Sequence, residues 1–229
     1  MKFDCRRCGN CCTHLKRKLN SKITYPQQIP FYLYPEARDV SLLLFEWEKN
    51  TLQIEAERRE MELKIIPGHI SFDRDGRCIV FTWMMNYKIC PFYDGKCSIY
   101  EKRPLVCQSY PLLETNFLKP GSTFNISSLC PSIVHVGEAT IHTLHQIYGS
   151  TLEGALKKEK AKIWIDSLFN YMLENNILHK KIYARKKVLE GCKACIGVLD
   201  YLKEKNLLTE NVIKESIKKI EDVSFSKQG

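Results

Sequence analysis

Cys5, Cys8, Cys11 and Cys12 crowd into the stretch FDCRRCGNCC, residues 3–12. Thiolates are soft, anionic metal ligands, and a C-x2-C turn carries two sulfurs to one side of a loop, where they can share a metal. C-x2-C-x2-C is also a spacing that seats three thiolates on an iron–sulfur cluster, with a distant cysteine as the fourth ligand. Arg6, Arg7, Lys16, Arg17 and Lys18 surround the group and favour thiolate over thiol. In an extended loop successive side chains point to opposite faces, so Cys12 is expected to serve a different site from Cys11. Cys90, Cys97, Cys107 and Cys130 supply four more sulfurs. Eight cysteines suggest two four-thiolate sites. Tetrahedral sulfur suits zinc and iron–sulfur centres alike, so spacing leaves both open, and the packed N-terminal quartet leans toward a 4Fe–4S cluster.

The remaining candidates carry less. Cys78, in RCIVF, reads equally as a ligand or as a buried small hydrophobe. Cys192 and Cys195 fall with Val188, Ile196, Leu199 and Leu202 on one helical stripe, which makes them core residues. His14 follows the quartet and could substitute for a ligand; His142 and His145 are three apart on a helical stretch and read as ordinary helix residues. No dinucleotide fingerprint, P-loop, nucleophile elbow or HExxH pattern is present. The run HKKIYARKK, residues 179–187, packs five cations, yet a solvated helix face accounts for it better than nucleic acid does.

The elements that must position these sulfurs divide in character at about residue 131. Residues 1–131 hold nine of the eleven cysteines and every strand signal, and form a cysteine-cluster region. Residues 132–229 are helical and lysine-rich, and are expected to pack against it as one globular unit. Within the first region, apolar spacing predicts a helix over 36–63, with the charged IEAERREMELK as a solvated face. Asp75-Gly76 and Pro120-Gly121 mark hairpin turns. In the second, helices are expected over 132–148, 151–177, 182–205 and 209–222, with Ser150 or Thr151 as an N-cap. The fold class is α+β, mostly α-helical, with short hairpins against C-terminal helices.

Composition agrees with a cytoplasmic, metal-binding chain. The 229 residues are 44% hydrophobic, enough for a sizeable core. No secretion signal or apolar run long enough to span a bilayer is visible, and clustered cysteines in a reducing cytosol serve metals more often than disulfides. The formal charge is +9; eight thiolates on two divalent ions would bring it to about +5.

FDCRRCGNCC, CPFYDGKCSIYEKRPLVCQSYP and the later Cys130-Pro131 together resemble the CxxCxxCC family, a zinc- or iron-chelating group. Cys97, Ile99, Tyr100, Arg103, Pro104, Cys107, Tyr110 and Pro111 match its core pattern, and Gln108 stands where an Arg is usual. The resemblance implies Cys5, Cys8, Cys11, Cys12, Cys90, Cys97, Cys107 and Cys130 as ligands. In that motif Arg103 could hydrogen-bond sulfur from behind the ligands. Tyr100 could place its hydroxyl near the site or simply pack. Some members are labelled iron–sulfur oxidoreductases, and flagellin lysine N-methylases are similar, so an enzyme of either kind is one expectation. The other is a non-catalytic zinc-stabilised module whose helices bind a protein or nucleic-acid partner.

Overall fold

The structure, a computed structural model, describes residues 2–15, 30–34, 36–37, 42–113, 126–134, 141–180 and 194–207. In chain order its elements are α1 (Asn10–Thr13), β1 (Tyr32–Leu33), β2 (Leu42–Leu44), α2 (Glu46–Glu57), β3 (Ile65–Pro67), β4 (His69–Phe72), β5 (Cys78–Val80), β6 (Trp83–Met85), β7 (Tyr93–Asp94), β8 (Lys96–Cys97), a 3-10 turn (Tyr100–Lys102), α3 (Leu105–Gln108), α4 (Ile141–Tyr148), α5 (Ser150–Glu174), β9 (Cys195–Gly197) and α6 (Val198–Glu204). The class is α+β. No helix among the described residues is long and apolar enough to cross a membrane.

One sheet runs β1-β4-β5-β9, a second β2-β6-β3, and β7-β8 is a small ribbon. The apolar run from Cys78 to Met85 supplies β5 and β6. It lacks polar alternation because both faces of the first sheet are covered. Cys78 and Val80 turn to a core shared with Leu44, Leu52, Ile70 and Phe92. Ile79 and Phe81 turn the other way, onto Leu168 and Met172 of α5 and Val198 and Leu202 of α6. The Asp75-Gly76 hairpin forms as expected, with Gly76 at φ 84° between β4 and β5. Pro120-Gly121 and the 209–222 helix lie outside the described residues.

The helix expected over 132–148 is α4, Ile141–Tyr148, with residues 132–134 non-helical, and strands replace part of two other expected helices. Leu42–Leu44 pairs with β6 as a strand, so α2 begins only at Glu46. Its three leucines fit a helix stripe equally well, and tertiary pairing decides. Likewise Cys195–Gly197 is a strand, parallel to β5, where a helix over 182–205 was expected. Gly197 there passes so close to the Glu46 carboxylate that a Cβ would lie 2.3 Å from it. The long α5 spans Ser150–Glu174, close to its expected bounds, but its N-cap is Gly149 at φ 42°, not Ser150 or Thr151.

The first turn of α2 organises two other helices. Buried Glu46 accepts the backbone N–H of Leu199 at 2.9 Å, at the start of α6. Buried Glu48 accepts Phe45 N–H at 2.9 Å, capping its own helix, and Leu105 N–H at 2.6 Å, capping α3. Helix starts leave such N–H groups without intrahelical partners. Burial raises both carboxyls above the usual range, against the lowering by these backbone donors. Farther along, Glu55 is buried too, not on a solvated face: Arg58, Arg59 and Lys102 surround it. The Lys102 and Arg59 contacts hold its carboxyl down to about 2.

Glu48→Gln keeps the shape of this junction but aims an amide donor at one of the two N–H groups. Urea unfolding should show a loss of about 1–3 kcal/mol. The exposed Glu57→Gln should stay within about 0.5 kcal/mol of the parent.

Candidate metal centre

Four separate stretches of chain bring sulfur to one place. Gly9, at φ 77°, starts α1: its carbonyl accepts the N–H of Cys12 at 2.7 Å and of Thr13 at 3.0 Å. Gly9 lies against the Tyr93 ring, where a Cβ would stand 2.0 Å from Cε2. Any larger residue would push the quartet off β7. Cys90 N–H donates to Cys12 O at 2.8 Å, joining the second stretch to the first. Cys97 sits in β8 opposite Tyr93. Cys107 rides on α3, whose N-terminus Glu48 holds. Helix α5 approaches α3 closely at Gly154, where a Cβ would lie 2.9 Å from that of Gln108. Cys130 arrives beside the quartet through Asn10, whose side-chain amide donates to Leu129 O at 2.6 Å.

All eight of these cysteines line a single cavity of about 60 Å3, together with Arg7, Tyr100 and Arg103. That is far below the roughly 300–1,000 Å3 of small-molecule sites and is of a size for ions or a compact inorganic group. A larger polar cavity of about 690 Å3 adjoins it, sharing Phe3, Cys5, Tyr100, Arg103 and Tyr110 and extending to His145 and Gln146.

Crowding governs the electrostatics. Contact with Cys12, followed by burial, raises the Cys11 thiol far above its ordinary value. For Cys12 the bond with Cys11 lowers the value, but Cys90 and burial outweigh it and push it up to about 12. Burial, then the neighbouring sulfurs Cys11, Cys12 and Cys97, raises Cys107 strongly. Cys97 is raised by burial and by Cys11 and Cys5, and Cys130 by burial and by Cys5, Cys8 and Cys11. Arg103 opposes the trend at Cys11, Cys97 and Cys107. Its Nε–H donates to Tyr100 O at 2.7 Å, and its guanidinium lies 3.5 Å from the Tyr100 ring centroid. The Arg7 guanidinium lies 3.8 Å from the same centroid. At such distances the two cations can only occupy opposite faces of the ring, so Tyr100 orders both.

The donor set suits a soft metal or an iron–sulfur group, since it offers sulfur beside guanidinium. Cys11 and Cys12 Sγ lie 3.9 Å apart, near the roughly 3.8 Å between sulfurs of a tetrahedral site with metal–sulfur bonds of about 2.3 Å. Among the described residues, however, no three Cys, His, Asp or Glu side chains already converge as a closed single-ion site. The sulfurs ring the cavity without closing on one point.

The short helix α1 corrects one expectation. Cys11 and Cys12 do not point to opposite faces, because a helical turn separates successive side chains by about 100° instead of the 180° of extended chain. His14 Nδ1 bonds Asn10 O at 3.0 Å and Thr13 Oγ1 at 3.0 Å, outside the cavity lining. Gln108, at the position of a usual Arg, donates to Arg103 O at 2.5 Å. Cys78 and Cys195 do not line the cavity. Cys78 is fully buried and Cys195 half-buried against it; Cys192 lies outside the described residues, as does all but the start of the 179–187 cationic run. The stacking of Arg7 on Tyr100 and the three buried glutamates of α2 went unnoticed in the sequence. Paired acids in the first turn of a helix, as in FEWEK, are the cue for Glu46 and Glu48.

No curated protein and no solved structure matches the chain. A family model does: residues 4–130 match the CxxCxxCC domain, described as zinc- or iron-chelating. That stretch is more than half of the 229 residues and runs from just before Cys5 to Cys130, the outermost sulfurs of the cavity, so the chain belongs to the CxxCxxCC family.

Proposed function

We propose that the eight cavity cysteines hold two four-sulfur metal centres, as zinc ions or as iron–sulfur clusters. The observation that carries this reading is the meeting of Cys5 and Cys130, with six of the seven cysteines between them, around one small cavity. The charge neighbours suggest the division. Cys130 is influenced by Cys5, Cys8 and Cys11, an outer set. Cys12 is influenced by Cys90 and Cys97, Cys107 by Cys11, Cys12 and Cys97, and Cys97 by Cys11 and Cys5, so Cys12, Cys90, Cys97 and Cys107 form an inner set that still feels the outer one. Cys11 and Cys12 are the seam between the two. Arg103 would stabilise the thiolate form of both sets, with Tyr100 holding its guanidinium in place. A bound centre would supply positive charge that allows buried thiols to ionise, and in the iron–sulfur case electron transfer as well. The reducing cytoplasm fits a chain whose sulfurs must stay unpaired for metal.

An enzyme is a second reading, as an iron–sulfur oxidoreductase or a protein modifier of the lysine N-methylase kind. Its support is the 690 Å3 cavity that shares a wall with Cys5 and Arg103, of a volume that small ligands occupy. The contrasting reading is a non-catalytic module in which zinc holds the cysteine region for a protein partner.

Metal analysis of anaerobically purified protein tests the first claim. Zinc should be found in a colourless protein, or iron with sulfide in a brown one. A folded anaerobic sample with neither in stoichiometric amount would end the proposal. Cys97→Ser should release metal and lower the melting temperature, because binding free energy is in part folding free energy.

A second measurement addresses Arg103. Arg103→Gln keeps hydrogen-bonding capacity but removes the cation that favours thiolate at Cys11, Cys97 and Cys107. Competition with a chelator should show metal affinity weakened by about 10-fold or more, and unchanged affinity would remove Arg103 from the centre.

A further inference from the structure

We propose that Cys78 and Cys195 form a second thiol site, separate from the metal cavity, which closes to a disulfide under a peroxide-class oxidant. The two residues are register partners on the parallel strands β5 and β9, and their sulfurs lie 3.3 Å apart. Neither lines the cysteine cavity. Adjacent strands lie about 4.7–4.9 Å apart, and a disulfide spans Cα atoms roughly 4.4–6.8 Å apart. The backbone therefore needs no rearrangement. To reach a bond of about 2.05 Å the sulfurs must approach by about 1.2 Å, which side-chain rotation can supply.

Burial sets the order of reaction. Cys78 is fully buried in the sheet. Cys195 opens β9, is half-buried, and follows the exposed Ala194. Cys195 is therefore the sulfur that an oxidant meets. Its thiolate attacks one oxygen of hydrogen peroxide, the O–O bond breaks, and hydroxide leaves to take up a proton as water. Cys195 is then a sulfenic acid. Cys78 gives up its proton and its sulfur attacks that of Cys195; the S–S bond forms, the S–O bond breaks, and the hydroxyl leaves with the proton as a second water. In total, two thiols and one peroxide yield one disulfide and two waters.

The bond would join residues 117 apart in sequence, and long loops gain most from such a link. It would also fix β9 directly ahead of α6, whose first turn rests on Glu46. Two thiols that merely fill space need neither shared register nor unequal access. The inference does not depend on which metal the cavity holds, or on whether it holds one.

Peptide mapping of the full-length protein tests it. Metal-replete protein, purified anaerobically, is treated with one equivalent of hydrogen peroxide, denatured, alkylated and digested without reductant. The expected product joins the Cys78 peptide to the Cys195 peptide, lighter by two hydrogens. Metal content should be unchanged, and the melting temperature should rise by several degrees and return on adding dithiothreitol. In Cys195→Ala, Cys78 should be recovered wholly alkylated. A cross-link confined to Cys192 and Cys195, or to the cavity cysteines, with Cys78 alkylated in the parent protein, would overturn the proposal. The parent mapping decides the matter even if the variant does not fold.

Discussion

Eight reduced sulfurs around a cavity of about 60 Å3 can be neighbours only as thiols or as ligands of a cation. As bare thiolates they would repel one another across a space with little water to screen them. The upward shifts at Cys11, Cys12, Cys97, Cys107 and Cys130 express that constraint. Arg103 relieves it in part and only from one side. The fold thus gathers sulfur into a place where ionisation is unfavourable without added positive charge, and a metal held by these sulfurs would be taken up with release of protons.

Polar groups join the stretches that carry the sulfurs, beside the apolar packing of Cys12, Cys90, Cys97 and Cys107. The quartet reaches Cys90 through one backbone hydrogen bond and Cys130 through the Asn10 amide. The positions of α3 and the 3-10 turn depend on carboxylates of α2: Glu48 holds the start of α3, and Glu55 holds Lys102. A buried acid satisfied by several donors is costly to lose, because its partners are then left unpaired in the interior. One twelve-residue helix therefore sets the aim of Cys107 and Arg103, although none of its own side chains carries sulfur.

The chemistry of the site was legible because cysteine, glycine and charge spacing act locally. The C-x2-C turns, the Asp75-Gly76 hairpin and the long α5 all follow from nearest neighbours along the chain. What was not legible depends on partners far away. Leu42–Leu44 has the same pattern as a helix stripe and becomes a strand only because β6 lies beside it. Cys195–Gly197 becomes a strand because β5 offers an edge and Glu46 occupies the space that a larger side chain at 197 would need. IEAERREMELK looks solvated, yet Glu55 is buried because Lys102, 47 residues away, supplies the opposing charge. Cys11 and Cys12 were assigned opposite faces on the premise of an extended loop, and Gly9 makes a helical turn there instead.

The family match ends at residue 130, but the sheet beside the metal cavity does not. Its central strand β5 is paired on one side by β4 and on the other by β9, which arrives from residues 195–197. Alternate residues of β5, and Phe81 just after it, then report to different surroundings: Cys78 and Val80 to the core on which Cys12, Cys97 and Cys107 pack, Ile79 and Phe81 to α5 and α6. A shift of β9 is felt on both faces, since a strand cannot move one set of side chains without the other. Glu46 adds a second tie between the same parts, reaching from α2 to the start of α6. Residues 195–204, beyond the cysteine motifs, are thus a wall of the cysteine region's own core, and the placement of its sulfurs rests in part on residues that carry no motif.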